Sequence, residues 1–101
     1  MKLIHCTLRN NIPSIRRRGL LCSKSTGHRK AVWFVPPDCT GWAAMHVAGR
    51  HKANLEDLAI LECDVKEDHL RRHGEGGTYY HVADVPASAI VCIKTISWQQ
   101  E

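Results

Sequence analysis

Two polar side chains two residues apart, His5 and Thr7 in K-L-I-H-C-T-L, are the first candidates for chemistry, since alternate residues of a strand share a face. An imidazole held on a strand is an oriented donor or acceptor, and a neighbouring hydroxyl can support the same ligand. Arg50 is the next candidate, because a guanidinium grips phosphate oxygens in pairs. It follows His46 by four residues, on one helical face, with His51 beside it. Trp33 offers an indole wide enough to cover a flat ring. The run Arg16, Arg17 and Arg18, with Arg71 and Arg72 further on, offers contacts to a phosphate backbone. Together these suit a ligand with rings and phosphates. Each has a plainer reading: a backbone-bonded buried histidine, a core indole, a solvated helix face, a helix end favoured by the macrodipole.

The elements that must position these residues can be read in order. Lys2 to Leu21 reads as strand, turn and helix, with Leu3 and Cys6 toward the core and His5 and Thr7 on the opposite face. Asn10 or Asn11 caps the helix, Pro13 sits in its first turn, Ile12 and Ile15 form its apolar side, and Gly19 ends it before Leu20 returns to the core. Cys22 to Lys30 is a polar, basic loop suited to act as a lid. Ala31 to Val35 reads as a short strand stopped by Pro36 and Pro37.

Thr40 is placed to cap a helix from Gly41 to Ala53, with Trp42, Met45, Val47 and Ala48 as its apolar side. Leu58 to Val65 is the clearest strand, with Leu58, Ile60 and Val65 expected in the core. Lys66 to His73 suits a short charged helix carrying Arg71, Arg72 and His73. After the E-G-G turn, strands follow around Thr78 to Val82 and at Ile90 to Ser97, separated by a bend at Val85 to Ala89. The order β-α-β-α-β-(α)-β-β predicts an α+β domain with two main helices rather than a doubly wound parallel sheet.

At 101 residues the chain is one domain, 1–101, and 44% apolar residues are enough for a packed core. Lys and Arg number 14 against 10 Asp and Glu, giving a net charge of +4 with histidines neutral, which favours a phosphate-bearing partner. No run approaches the ~20 apolar residues of a membrane span, and the opening M-K-L-I-H-C-T is unlike a signal peptide, so a cytoplasmic protein with no membrane partner is expected. Five scattered cysteines predict reduced thiols rather than a disulfide frame. No C-x-x-C occurs, and the cluster His46, His51, His69, His73 and His81 lacks helix-borne ligand spacing, so no metal site is expected.

The ordered motifs resemble a family. H-C-T at His5 to Thr7, followed after a helix by G-L-L at Gly19 to Leu21, is similar to the opening of the ADP-ribosyltransferase fold, as in the tRNA 2′-phosphotransferases and the toxins that modify DNA. V-A-G-R-H (Val47 to His51), A-I-L-E-C-D-V (Ala59 to Val65) and G-T-Y-Y-H-V-A-D-V-P-A-S-A-I (Gly77 to Ile90) then resemble the later 2′-phosphotransferase motifs, in the same order. The resemblance implies a split pair of small β-sheets with NAD, as substrate, in the cleft between them. It implies that His5, supported by Thr7, binds the ADP-ribose moiety, that Trp33 or Tyr79 stacks on a ring, and that Arg50 holds a phosphate. In that reading His5, Thr7 and Arg50 carry the chemistry, and Arg16, Arg17, Arg18, Arg71 and Arg72 hold nucleic acid.

Protein- and DNA-modifying members place a glutamate on a late strand, whereas T-Y-Y-H here has no carboxylate; the 2′-phosphotransferases do without it. Two functions follow: transfer of ADP-ribose to a nucleic-acid phosphate or base, or a non-catalytic module in which the same cleft, with Trp33 or Tyr80 stacking, binds nucleic acid or a nucleotide.

Overall fold

A computed structural model of the chain describes residues 1–25, 30–73 and 77–95. The described elements are β1 (Lys2–Leu8), α1 (Ile12–Arg18), β2 (Val32–Phe34), α2 (Thr40–His51), β3 (Leu58–Asp64), β4 (Leu70–His73), β5 (Thr78–His81) and β6 (Ile90–Thr95). The strands form two three-stranded antiparallel sheets, β1-β3-β6 and β2-β5-β4, so the domain is α+β with two helices. Expectations for residues 26–29 of the polar loop, for the turn at 74–76 and for the end of the last strand lie outside the described residues. Among the described residues, no helix is long and apolar enough to cross a membrane.

The larger sheet is centred on the apolar run of β3, which pairs with β1 so that Leu3 meets Cys63, His5 meets Leu61 and Thr7 meets Ala59. Leu3 therefore shares a face with His5 and Thr7 and not with Cys6, because faces alternate with a period of two. That face joins the main core of Leu3, Ile15, Leu20, Val32, Phe34, Leu61, Val65 and Val85. The opposite face, with Ile4, Cys6 and a half-buried Ile60, packs against Ala43 of α2. All five cysteines are free thiols.

Helix α1 begins as expected, with Pro13 in its first turn, but Asn11 at its start makes no side-chain capping bond. Its amide donates instead to Thr7 Oγ1 at 2.9 Å. Gly19 closes the helix at φ +78°, where a Cβ would lie 2.2 Å from the Val85 carbonyl oxygen. Only glycine fits there, and the next residue, Leu20, pairs with Val85 through two backbone bonds of 2.8 Å.

Three further expectations are corrected. Thr40 is the first residue of α2 rather than its cap, since its hydroxyl donates to the Pro37 carbonyl at 2.6 Å. The buried side of α2 is Ala43 and Ala44, while Trp42 is 56% exposed and Met45 63%. Alanine methyls let a helix approach a sheet closely, and an indole would hold it away. Finally, Lys66 to His73 is not a helix: Glu67–His69 makes one 3-10 turn, and Leu70–His73 pairs with β5. Leu70 packs on the core without an apolar partner one turn away, so the segment gains more by sheet pairing, and arginines suit an edge strand.

Candidate functional site

The two sheets meet at a seam between β1 and β2. There Ile4 and Val35 exchange both backbone bonds, at 2.8 and 2.9 Å, as an isolated pair. In a continued antiparallel ladder Cys6 would face Trp33, whose carbonyl points toward β1 by the two-residue repeat of a strand's bonding edge. The ladder stops instead. Nδ1 of His5 lies 2.7 Å from that carbonyl, so the imidazole takes the place of a backbone partner.

A ring nitrogen bonded to a carbonyl must carry its proton, which leaves Nε2 of a neutral His5 as an acceptor. Burial lowers the His5 pKa below 6.5, outweighing the upward pull of the Trp33 carbonyl. The ring also meets Phe34 edge-on at 5.8 Å. Beside it, Thr7 is 9% exposed and its hydroxyl is oriented by Asn11. Burial likewise pushes the Cys6 thiol up to about 11, which leaves it protonated and unsuited to act as a nucleophile.

Next to the seam lies a cavity of about 700 Å³. Its floor is apolar, with Ile15, Leu20 and Phe34 from the core. His5, Thr7 and Trp33 line it from the strands, and Trp42, His46, Arg50 and His51 line it from α2. Trp33 meets His73 edge-on at 5.2 Å and Tyr80 at a tilt of 47° and 5.3 Å, and its buried indole N–H has no hydrogen-bond partner. Trp42 stacks on His46 with centroids 5.1 Å apart and planes 13° apart. Among the described lining residues are two fixed cations, Lys24 and Arg50, and no aspartate or glutamate. Such walls complement, in charge and shape, an anion with flat rings.

Of the residues singled out from the sequence, His5, Thr7, Trp33 and Arg50 come together here although they are far apart in the chain. Tyr79 does not: it pairs with Phe34, packs on the core, and lies under the Arg72 guanidinium at 6.0 Å. Arg16, Arg17 and Arg18 are exposed at the end of α1, outside the cavity lining. Arg71 and Arg72, adjacent on a strand rather than a helix, point to opposite faces, and Arg71 donates to the carbonyls of Asp68 and Leu70. The basic residues thus form no single strip. Among the described residues no three histidine, cysteine or acidic side chains converge as metal ligands.

Sequence reasoning missed Trp42 as a lining residue by assigning it to the core. Its signal was the four-residue spacing Trp42, His46, Arg50 along one stripe of α2. No protein-family model matches the chain, and no curated protein matches its sequence.

Proposed function

We propose that the chain is an ADP-ribosyltransferase-like domain that binds NAD at the seam and transfers ADP-ribose to a nucleic-acid phosphate or base, in the manner of the 2′-phosphotransferases. The observation that carries this reading is the split between the sheets, bridged by His5, beside a cavity whose described walls bear cations and aromatic rings without a carboxylate. Nε2 of His5 accepts a ribose hydroxyl, Trp33 covers one ring of the dinucleotide, and Arg50 holds a phosphate. Tyr79, packed on the core, leaves the stacking role to Trp33.

In the transfer, an acceptor oxygen or nitrogen bonds to the nicotinamide-ribose carbon while the C–N bond breaks and its electron pair leaves with nicotinamide. Positive charge on the sugar rises in the transition state, and neighbouring phosphates offset it. A phosphate acceptor is already ionised, so it needs no general base, which suits walls without carboxylates. Five free thiols fit a reducing, cytoplasmic compartment. The same walls also suit a module that binds nucleotides and turns nothing over. One assay separates the two: nicotinamide release from NAD in the presence of a 2′-phosphorylated RNA oligomer. Release by the unmodified chain that is lost in Arg50→Ala supports transfer, and ADP-ribose binding without release supports the module. Neither binding nor release at millimolar NAD contradicts both.

A further inference from the structure

Helix α2 presents a row of side chains to the cavity of which the proposed transferase uses Arg50 alone, for a phosphate. Trp42, His46 and Arg50 follow one another at four-residue steps, about 6 Å apart along the axis, and all three line the cavity. The first two are stacked nearly parallel, and Trp42 is 56% exposed. An exposed indole held flat by a neighbouring ring makes no contribution to the core that would explain it, and Ala43 and Ala44 already supply the helix's buried side.

We propose that the Trp42–His46 stack is the platform for a nucleobase of a single-stranded nucleic-acid acceptor, and that the phosphate Arg50 holds is the acceptor's, adjoining that base. Three observations favour that occupant. A stacking surface followed one helical turn later by a cation matches the ring-then-phosphate order of a nucleotide. The described cavity walls carry Lys24 and Arg50 and no carboxylate, so their charge complements a polyanion. The platform is also open, as a polymer that must enter and leave requires, whereas Thr7 and Phe34 at the seam are buried. The transferase reading enters only in what occupies the seam. A ring on this platform has two sources, the acceptor's base or the adenine of the dinucleotide, and the position of the platform favours the first.

The test is a pair of titrations on the full chain, followed by indole fluorescence: a single-stranded oligoadenylate of about eight nucleotides, and ADP-ribose. Oligoadenylate is expected to quench the unmodified protein. Trp42→Ala should bind it about tenfold or more weakly, the size of one lost base stack, with Trp42→Phe restoring most of the loss. Met45→Ala, equally exposed on α2 but outside the cavity lining, should behave like the parent. ADP-ribose affinity should be the same in all four proteins. Unchanged oligoadenylate affinity in Trp42→Ala overturns the platform, as does no oligoadenylate binding by the parent. A parallel loss of ADP-ribose affinity also overturns it, assigning the stack to adenine. Oligoadenylate binding that depends on Trp42, without any ADP-ribose binding, keeps the platform and removes the transferase reading.

Discussion

The two ends of the cavity are built differently. At the seam, His5, Thr7, Trp33 and Phe34 are held by the fold: one ring replaces a ladder bond, one hydroxyl is oriented by Asn11, and Phe34 is 1% exposed. Along α2, Trp42, His46 and Arg50 stand exposed on a helix whose packing is done by two alanines. Residues at the seam serve stability and ligand geometry together, while the Trp42–His46 stack lies outside the buried side of its helix. Variants at the two ends should therefore separate loss of fold from loss of binding.

The largest effect belongs to the seam. Phe34→Ala should cost about 3–5 kcal/mol in urea unfolding, the range for emptying a buried aromatic site, a large share of a small domain's stability. Gly19→Ala comes next, at about 2–3 kcal/mol, because it strains a positive φ and drives a methyl into the Val85 carbonyl. A loss under about half a kcal/mol would mean that the α1 end is not fixed by the Leu20–Val85 pair.

A pH series sharpens the comparison further. The folded-state pKa of His5 lies below 6.5, so the unfolded chain binds the extra proton first. Its contribution is complete above 6.5 and is lost as pH falls from there toward the folded value, by at most about 1.4 kcal/mol per pH unit for one proton. Substituting His5→Asn should flatten that part of the profile. On the helix, Trp42→Ala should shift stability by no more than about 0.5 kcal/mol, as for other surface positions. Lys52→Gly, at the left-handed end of α2 with φ +51°, should stabilise by up to about 1 kcal/mol.

The same contrast governs what could be read from the sequence. Strands β1 and β6 were legible because their side chains alternate in character, and β3 because its apolar run suits the centre of the larger sheet, where it lies. Strand β4 was not, since L-R-R-H has one apolar residue and its conformation is decided by partners five to eleven residues later. The buried side of α2 was misjudged because size suggested Trp42 and Met45, whereas close packing on Ile4 and Cys6 selects alanine. His5, Thr7, Trp33 and Arg50 could be chosen by type. Their meeting could not, because it depends on one imidazole–carbonyl bond spanning 28 residues.

The central claim is that His5 bridges the seam with one nitrogen and holds ADP-ribose with the other. An asparagine amide nitrogen sits at the same bonded distance from Cβ as Nδ1, so His5→Asn keeps a donor for the Trp33 carbonyl and removes the Nε2 acceptor. The decisive measurement is the change in melting temperature on adding millimolar ADP-ribose to the parent chain and to His5→Asn. A rise for the parent and none for His5→Asn, with similar melting temperatures when free, is the predicted result. An equal rise in both proteins, or no rise in the parent, contradicts it.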